Sequence, residues 1–206
     1  MENHKLLYIL RHGETEYNRK KMVQGSGVDS SLNETGQKQA AAFFKKYGDI
    51  PFELLITSKL KRTHETMSPF IQTGLPWLQM SEINEISWGD HEGKKSTPDM
   101  IEKYMEVVNA WNSGQYNVSL ANGESALELG TRMQKFVEHI KARPEKKILV
   151  CSHGRAMRAM MAVLQNLPLS TMDNFHHTNT GLYLVRFTGQ DFLFEKENDV
   201  SHLDVF

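Results

Sequence analysis

Leu6-Leu7-Tyr8-Ile9-Leu10-Arg11-His12-Gly13 and, much later, Ile148-Leu149-Val150-Cys151-Ser152-His153-Gly154 share one build. Each is an apolar run of strand length that stops at a polar, glycine-containing break with a histidine in it. Apolar runs with little alternation suit strands buried on both faces, as in a parallel sheet. In an open sheet covered by helices, ligands bind just beyond the carboxyl ends of the strands. Two such strands lying side by side would put two histidines and an arginine in one crevice.

The segments between them alternate in type. A helix is predicted from Asn33 to about Lys46, with Ala40, Phe43, Phe44 and Tyr47 on its inner face and Gly48 at its end. Leu54–Thr57 reads as a strand, and Ser58 is the expected cap of a following helix with Leu60, Thr63, Met67 and Ile71 at helical spacing. Trp77–Met80 reads as a short edge strand, and Ile83–Gly93 as irregular chain. Further helices are predicted from Ser96-Thr97-Pro98-Asp99 onward, from Gly123-Glu124-Ser125 to about Ala142, and over Gly154–Leu164. Leu182–Phe187 and Asp191–Glu197 alternate around Thr188-Gly189-Gln190 and read as a hairpin. Alternating strands and helices imply an α/β fold. The expected architecture is a three-layer sandwich, with a mostly parallel central sheet flanked by helices. The long polar stretch Arg11–Ser31 reads as a functional loop with room for one helical turn.

The chain has 206 residues, enough for one sizeable domain over 1–206, with residues 94–122 read as a helical insertion over the site. Its 24 basic and 25 acidic residues leave a formal net charge of −1, which gives no bulk attraction to nucleic acid or an anionic membrane. An anion must therefore be held by a local cluster. Neither a signal peptide nor a membrane span is expected, and the single cysteine, Cys151, fits a reducing, cytoplasmic setting as a buried structural thiol.

Arg11-His12-Gly13-Glu14-Thr15 carries the strongest local signal. Gly13 lets the backbone turn tightly against a ligand. Arg11 offers a planar fork suited to phosphate oxygens. A neutral imidazole at position 12 is a nitrogen nucleophile able to form a covalent intermediate. Arg62 falls in the first turn of the helix after the second strand, on the same rim, where a helix N-terminus already favours anions. His153-Gly154 opens another helix, and His153 is expected to bind a phosphoryl oxygen. Arg158 reads as a surface or structural residue. His176-His177 read as ordinary loop histidines, and Trp111 and Tyr116 as packing or pocket-mouth residues.

These pieces together resemble the histidine phosphatase superfamily, in its phosphoglycerate-mutase-like branch. Arg11–Thr15 with Asn18 and Gln24-Gly25 resemble that family's phosphate loop, and Leu32–Ala40 its first helix. Ser58–Thr63 resemble its second arginine motif, Glu85–Gly93 its general-acid segment, and Gly123-Glu124-Ser125 and Ser152-His153-Gly154 complete the order. The resemblance implies that His12 becomes phosphorylated and that Arg11, Arg62 and His153 hold the phosphoryl oxygens. Asn18, Gln24, Gly25 and Gly154 would assist them. It also implies that Glu85 is the proton donor, ahead of Glu82, Asp90 and Glu92 as rival acids. No metal or other cofactor is expected, because the arginines neutralise the charge. Glu14 is expected to orient an arginine.

Between Thr63 and Thr131 there is no arginine, and Lys94, Lys95 and Lys103 are the insertion's basic residues. The arginine pair that a mutase of this family carries there to grip a carboxylate is missing. The expected activity is thus metal-independent hydrolysis of a small phosphorylated metabolite. The alternatives are phosphoglycerate mutase activity and a non-catalytic phospho-ligand binding module.

Overall fold

A computed structural model describes residues 4–204. Its centre is a six-stranded sheet in the order β3-β2-β4-β1-β5-β6. The strands are β1 (Lys5–Arg11), β2 (Leu54–Thr57), β3 (Trp77–Gln79), β4 (Lys147–Ser152), β5 (Leu182–Phe187) and β6 (Phe192–Asp199). The first four in that order run parallel, and β5 and β6 add an antiparallel hairpin beside β1. The two opening strands are direct neighbours. β1 pairs with β4 from Leu6↔Lys147 to Arg11↔Ser152, so both end level and the backbone N–H of His12 still bonds the Ser152 carbonyl at 3.0 Å.

Strand residues alternate between the two faces, and each face is covered. On one side Leu7, Ile9, Ile56, Ile148 and Val150 pack under α5 (Ala126–Ala142) and α6 (Gly154–Leu164), with Met133, Phe136, Met157 and Met160 buried between them. On the other, Leu10, Leu55, Leu149 and Cys151 pack under α2 (Glu34–Tyr47) and α3 (Lys61–Gln72) through Phe43, Met67 and Phe70. The result is the helix–sheet–helix arrangement expected. The segment 94–122 contains α4 (Pro98–Asn112), capped by the Thr97 hydroxyl. The predicted turn in the long loop is α1 (Glu16–Arg19), with Thr15 as its cap.

One local expectation fails. Ser58 does not cap α3. The helix begins at Lys61 with Leu60 as its N-cap, and the Lys61 N–H is instead taken by Asp29 from the long loop at 2.7 Å. Ser58 lies outside the helix and is drawn into the site described below.

The loop after β1 rests on α2 backbone to backbone. A Cβ added at Gly36 would stand 2.1 Å from the Glu14 carbonyl oxygen, and one at Gly13 would stand 2.7 Å from the Gly36 oxygen. This contact decides a competition. Alanine normally improves on glycine inside a helix by about 1 kcal/mol, but here it must push the loop off. Gly36→Ala is expected to lower stability in urea unfolding and to reduce activity; a gain in stability would show that the loop yields freely.

Candidate active site

His12 and His153 follow β1 and β4, and level pairing brings their rings to 5.2 Å between centroids. The His12 Nδ1 lies 2.7 Å from the Gly13 carbonyl. A carbonyl can only accept, so Nδ1 carries the proton and Nε2 keeps its lone pair. Burial, then the Arg62 and Arg11 charges, hold this imidazole well below the ordinary histidine range. The ring is therefore neutral at pH 7. His12 is enclosed, at 1 % exposure, yet its Nε2 retains solvent contact and has no hydrogen-bond partner among the described residues.

His153 is held differently. The Arg62 Nε, which can only donate, points at its Nδ1 at 3.1 Å, so the proton sits on Nε2 and is donated to the Ser58 hydroxyl at 2.8 Å. Ser58 passes the chain on to Thr63. His153 is pushed well below the ordinary range by burial and then by Arg62. Both its nitrogens are engaged by protein. In this arrangement it positions Arg62 more directly than it faces a ligand.

Arg62 is fully buried, and burial lowers it to about 10 although Glu85 and Asp29 pull the other way. It also donates to the carbonyls of Val28 (2.6 Å) and Gly25 (3.3 Å), so one guanidinium ties the long loop over the site. Arg11 makes no hydrogen bond through its guanidinium among the described residues, and its Nε is sealed from solvent. Its pKa is lowered by burial, with Glu85 opposing. A cation held this way lacks an anion.

Asn18 and Gln24 are turned so that their amide N–H groups make no hydrogen bond among the described residues. The Asn18 oxygen receives Thr15 N–H and the Asn179 amide, and the Gln24 oxygen receives the Thr15 and Ser30 hydroxyls. Gly25 is required by a close approach, since a Cβ there would meet the Glu92 carboxylate at 2.0 Å. Gly154 permits close packing: a Cβ there would stand 3.1 Å from His177 Cε1, 3.4 Å from Glu85 Oε2 and 3.6 Å from His177 Nε2.

Glu85 is buried at the start of α6. Its Oε1 receives the N–H groups of Ile86 and Ala156, and its Oε2 that of Arg155. Oε2 thus accepts one N–H fewer than Oε1, and it lies against Gly154. The other acids are occupied elsewhere. Glu92 binds the N–H groups of Gly27 and Trp88, Asp90 takes the Asn122 amide, and Glu82 is half-buried and takes the Ser81 hydroxyl at 3.4 Å. Glu14 does not orient an arginine; its carboxylate takes the Asn33 amide at 2.7 Å.

Several participants carry no sequence signal that singles them out. Asn179 donates to the His12 carbonyl at 2.9 Å, from the turn just before β5. Arg132, paired with Glu124, bonds the carbonyls of Glu82 and Asn84 and braces the chain leading to Glu85. His177 is no ordinary loop residue: it packs against Gly154, and Arg158 donates to its Nε2 at 3.0 Å. Arg155 and Arg158 share Asp173. Trp111 is buried packing, stacked on Trp88 with centroids 6.0 Å apart. Beside the site, Val23, Gln24, Trp88, Met100, Tyr104 and Leu120 help to line a cavity of about 260 Å³.

The model of the histidine phosphatase superfamily, branch 1, matches residues 7–200. The chain belongs to this superfamily. Phosphoserine phosphatase 1 of Hydrogenobacter thermophilus is 28% identical over 202 residues, covering 97% of this chain and 95% of the relative. A 2,3-bisphosphoglycerate-dependent phosphoglycerate mutase of Bartonella tribocorum is 29% identical over 170 residues, covering 78% and 82%. The alpha-ribazole phosphatase of Shigella flexneri has the same fold, with a TM-score of 0.83 at 23% identity over 95% of this chain and 96% of that one. This histidine phosphatase thus sits among enzymes whose names are those of small-metabolite phosphatases, with a mutase beside them. Among the described residues no helix is long and apolar enough to cross a membrane.

Four neutral buried histidines set an acid sensitivity. His12 and His153 are held well down, His177 is lowered to about 3, and His202, wedged against Phe43, is lowered to about 4, in each case chiefly by burial. Above about pH 6.5 all four are neutral whether the chain is folded or not. Below it the unfolded chain binds protons that the native state excludes, so stability falls. The loss approaches about 1.4 kcal/mol per pH unit for each histidine. Urea midpoints at pH 7.5, 6 and 5 in phosphate-free buffer should decline steadily; a flat profile would mean that these rings are charged in the fold.

Proposed function

We propose that this chain hydrolyses phosphomonoesters of small metabolites through a phosphohistidine on His12. The observation that carries the reading is the His12 tautomer: Nδ1–H is bound to the Gly13 carbonyl, and the Nε2 lone pair stands free beside an unpartnered guanidinium. Phosphoryl transfer needs positioning and charge neutralisation above all. Arg11 and Arg62 would supply the charge, the Asn18 and Gln24 amides further donors, and His153 the orientation of Arg62.

In the first half, Nε2 forms a bond to phosphorus as the ester P–O bond breaks, and the leaving oxygen takes a proton from Glu85 Oε2. In the second, Glu85 takes a proton from water as the water oxygen attacks phosphorus. The P–N bond breaks and returns its electron pair to Nε2, and phosphate is released. A positioned acid matters most where the leaving oxygen is basic.

Hydrolysis is favoured over mutase chemistry because the residues that α4 offers the cavity are apolar or aromatic: Met100, Ile101 and Tyr104. Lys103 instead pairs with Asp99 on the surface. We place the enzyme in the cytoplasm, which its lone and buried cysteine supports.

The test is turnover of an aryl phosphate in EDTA by wild type and His12→Ala. Wild type should release phosphate and the variant should match buffer; equal rates would refute the reading. Glu85→Gln should slow alkyl phosphates by roughly 10²–10⁴-fold and aryl phosphates far less, and an equal loss on both would remove Glu85 as the acid. With 3-phosphoglycerate the product should be inorganic phosphate rather than 2-phosphoglycerate.

A further inference from the structure

The cavity beside the site carries no fixed charge on its wall. Val23, Met100, Ile101 and Leu120 line it together with the aromatic residues Trp88 and Tyr104. Gln24, His91 and Ser96 are its polar residues, and no arginine, lysine, aspartate or glutamate lines it. The charged groups nearby are occupied or turned away. Arg155 reaches the Tyr104 hydroxyl at 2.6 Å, but it is paired with Asp173 at 2.7 Å. It is also buried against Trp88 and Trp111, 5.9 and 5.8 Å from the ring centroids. Lys94 donates to the Asp90 carbonyl, Lys103 pairs with Asp99, and Lys95 is exposed.

The segments that wall this cavity are those that hold the reacting groups. Gln24 belongs to the phosphate loop, where its oxygen takes the Thr15 and Ser30 hydroxyls. Trp88 lies on the chain that leaves Glu85. Tyr104 is bonded to the Arg155 side chain, and the Arg155 N–H binds Glu85 Oε2 at 3.2 Å. The loop and the acid segment are joined on both flanks, Ser26 N–H to the Ile86 carbonyl and Val23 N–H to the Lys94 carbonyl, each at 3.1 Å. Trp88 is fixed by its stack on Trp111 and by the edge of Tyr104 at 5.2 Å. Ile101, 52% exposed, marks the mouth. Small-molecule pockets are typically preformed and mostly apolar, with a few polar groups and volumes of about 300–1,000 Å³. At about 260 Å³ this one suits a small group.

We infer that this cavity receives the alcohol part of the ester, and that the substrate is the monophosphate of a small, uncharged, apolar alcohol or phenol (one ring or a short branched chain). Monophosphates of amino acids and hydroxy acids are disfavoured. The inference rests on the phosphatase reading of this same site and deepens it. The leaving oxygen takes the Glu85 proton, so its carbon skeleton lies on the side of phosphorus that the acid segment walls. A carboxylate or ammonium in the cavity would give up its water and meet no side chain of opposite charge. Each methylene placed there gains by leaving water. Met100, Ile101 and Leu120 are thus specificity-determining residues.

The test is kcat/KM of wild type on methyl, ethyl, propyl and butyl phosphate, then on benzyl phosphate and O-phosphoserine. The four alkyl alcohols differ little in basicity, so Glu85 contributes alike to each and the series measures the fit of the carbon chain. kcat/KM should rise about fourfold per methylene. Benzyl phosphate should exceed O-phosphoserine, whose alcohol part carries both an ammonium and a carboxylate, by at least about tenfold. Ile101→Arg, at an exposed position, sets a guanidinium at the mouth and should shrink that ratio by about tenfold. Met100→Trp should narrow the cavity and flatten the alkyl series. Melting temperatures identify a variant that misfolds, and the wild-type series decides without it. A flat or falling alkyl series would overturn the inference, as would O-phosphoserine turned over as well as benzyl phosphate, or two folded variants with wild-type preferences. An aryl ester hydrolysed alongside a flat alkyl series leaves the phosphatase reading standing; no turnover of any ester by wild type would refute that reading itself.

Discussion

The level ending of β1 and β4 is the constraint on which the site depends. Six consecutive residue pairs, Leu6↔Lys147 to Arg11↔Ser152, put the two strands in register, and the chain leaves both at the same height. A slip of one residue would turn every side chain to the opposite face. It would take Leu10 and Cys151 out of the core that α2 and α3 cover, and separate His12 from His153. Burial of the two apolar faces thus holds the imidazoles together.

The electrostatic logic follows from that enclosure. Arg11 and Arg62 are taken from water into a site where the carboxylate acting most strongly on both, Glu85, is tied to three backbone N–H groups, two of them at the start of α6 and one from Ile86. Asp173, Glu92 and Glu124 are spent on Arg155 and Arg158, on the loop at Gly27, and on Arg132. The histidines respond by staying neutral. A cup with two guanidinium groups, neutral imidazoles and amide donors is complementary to a phosphoryl dianion. It is also unfavourable when empty, which turns the strain of burial into affinity.

Much of this was legible in the amino-acid order because it resides in short contiguous patterns. Apolar runs ending in Arg-His-Gly and Ser-His-Gly declared the strands and the crevice, and Arg62 in a first helical turn declared its rim. Asn33 and Thr97 cap their helices as their side chains dictate. What stayed hidden is set by contacts between distant segments. Ser58 reads as a cap from its neighbours alone, but Asp29, 32 residues away in sequence, takes the Lys61 N–H and frees Ser58 for His153. His177 looks like any loop histidine until β5 is laid beside β1 and Arg158 comes round on α6. Glu14 follows the same rule: its carboxylate is taken by Asn33, 19 residues on at the cap of α2, and not by the arginine close to it in sequence.

The central claim is that phosphorus is bonded to Nε2 of His12 during turnover. Mixing the enzyme in excess over a phosphomonoester, quenching within milliseconds in alkali and mapping the peptides measures this directly. The account predicts an acid-labile phosphoryl group on the peptide that contains His12, appearing as the leaving group departs and decaying as phosphate is released. Departure of the leaving group with the phosphoryl found on another residue, or passed straight to water with none on His12, would contradict it.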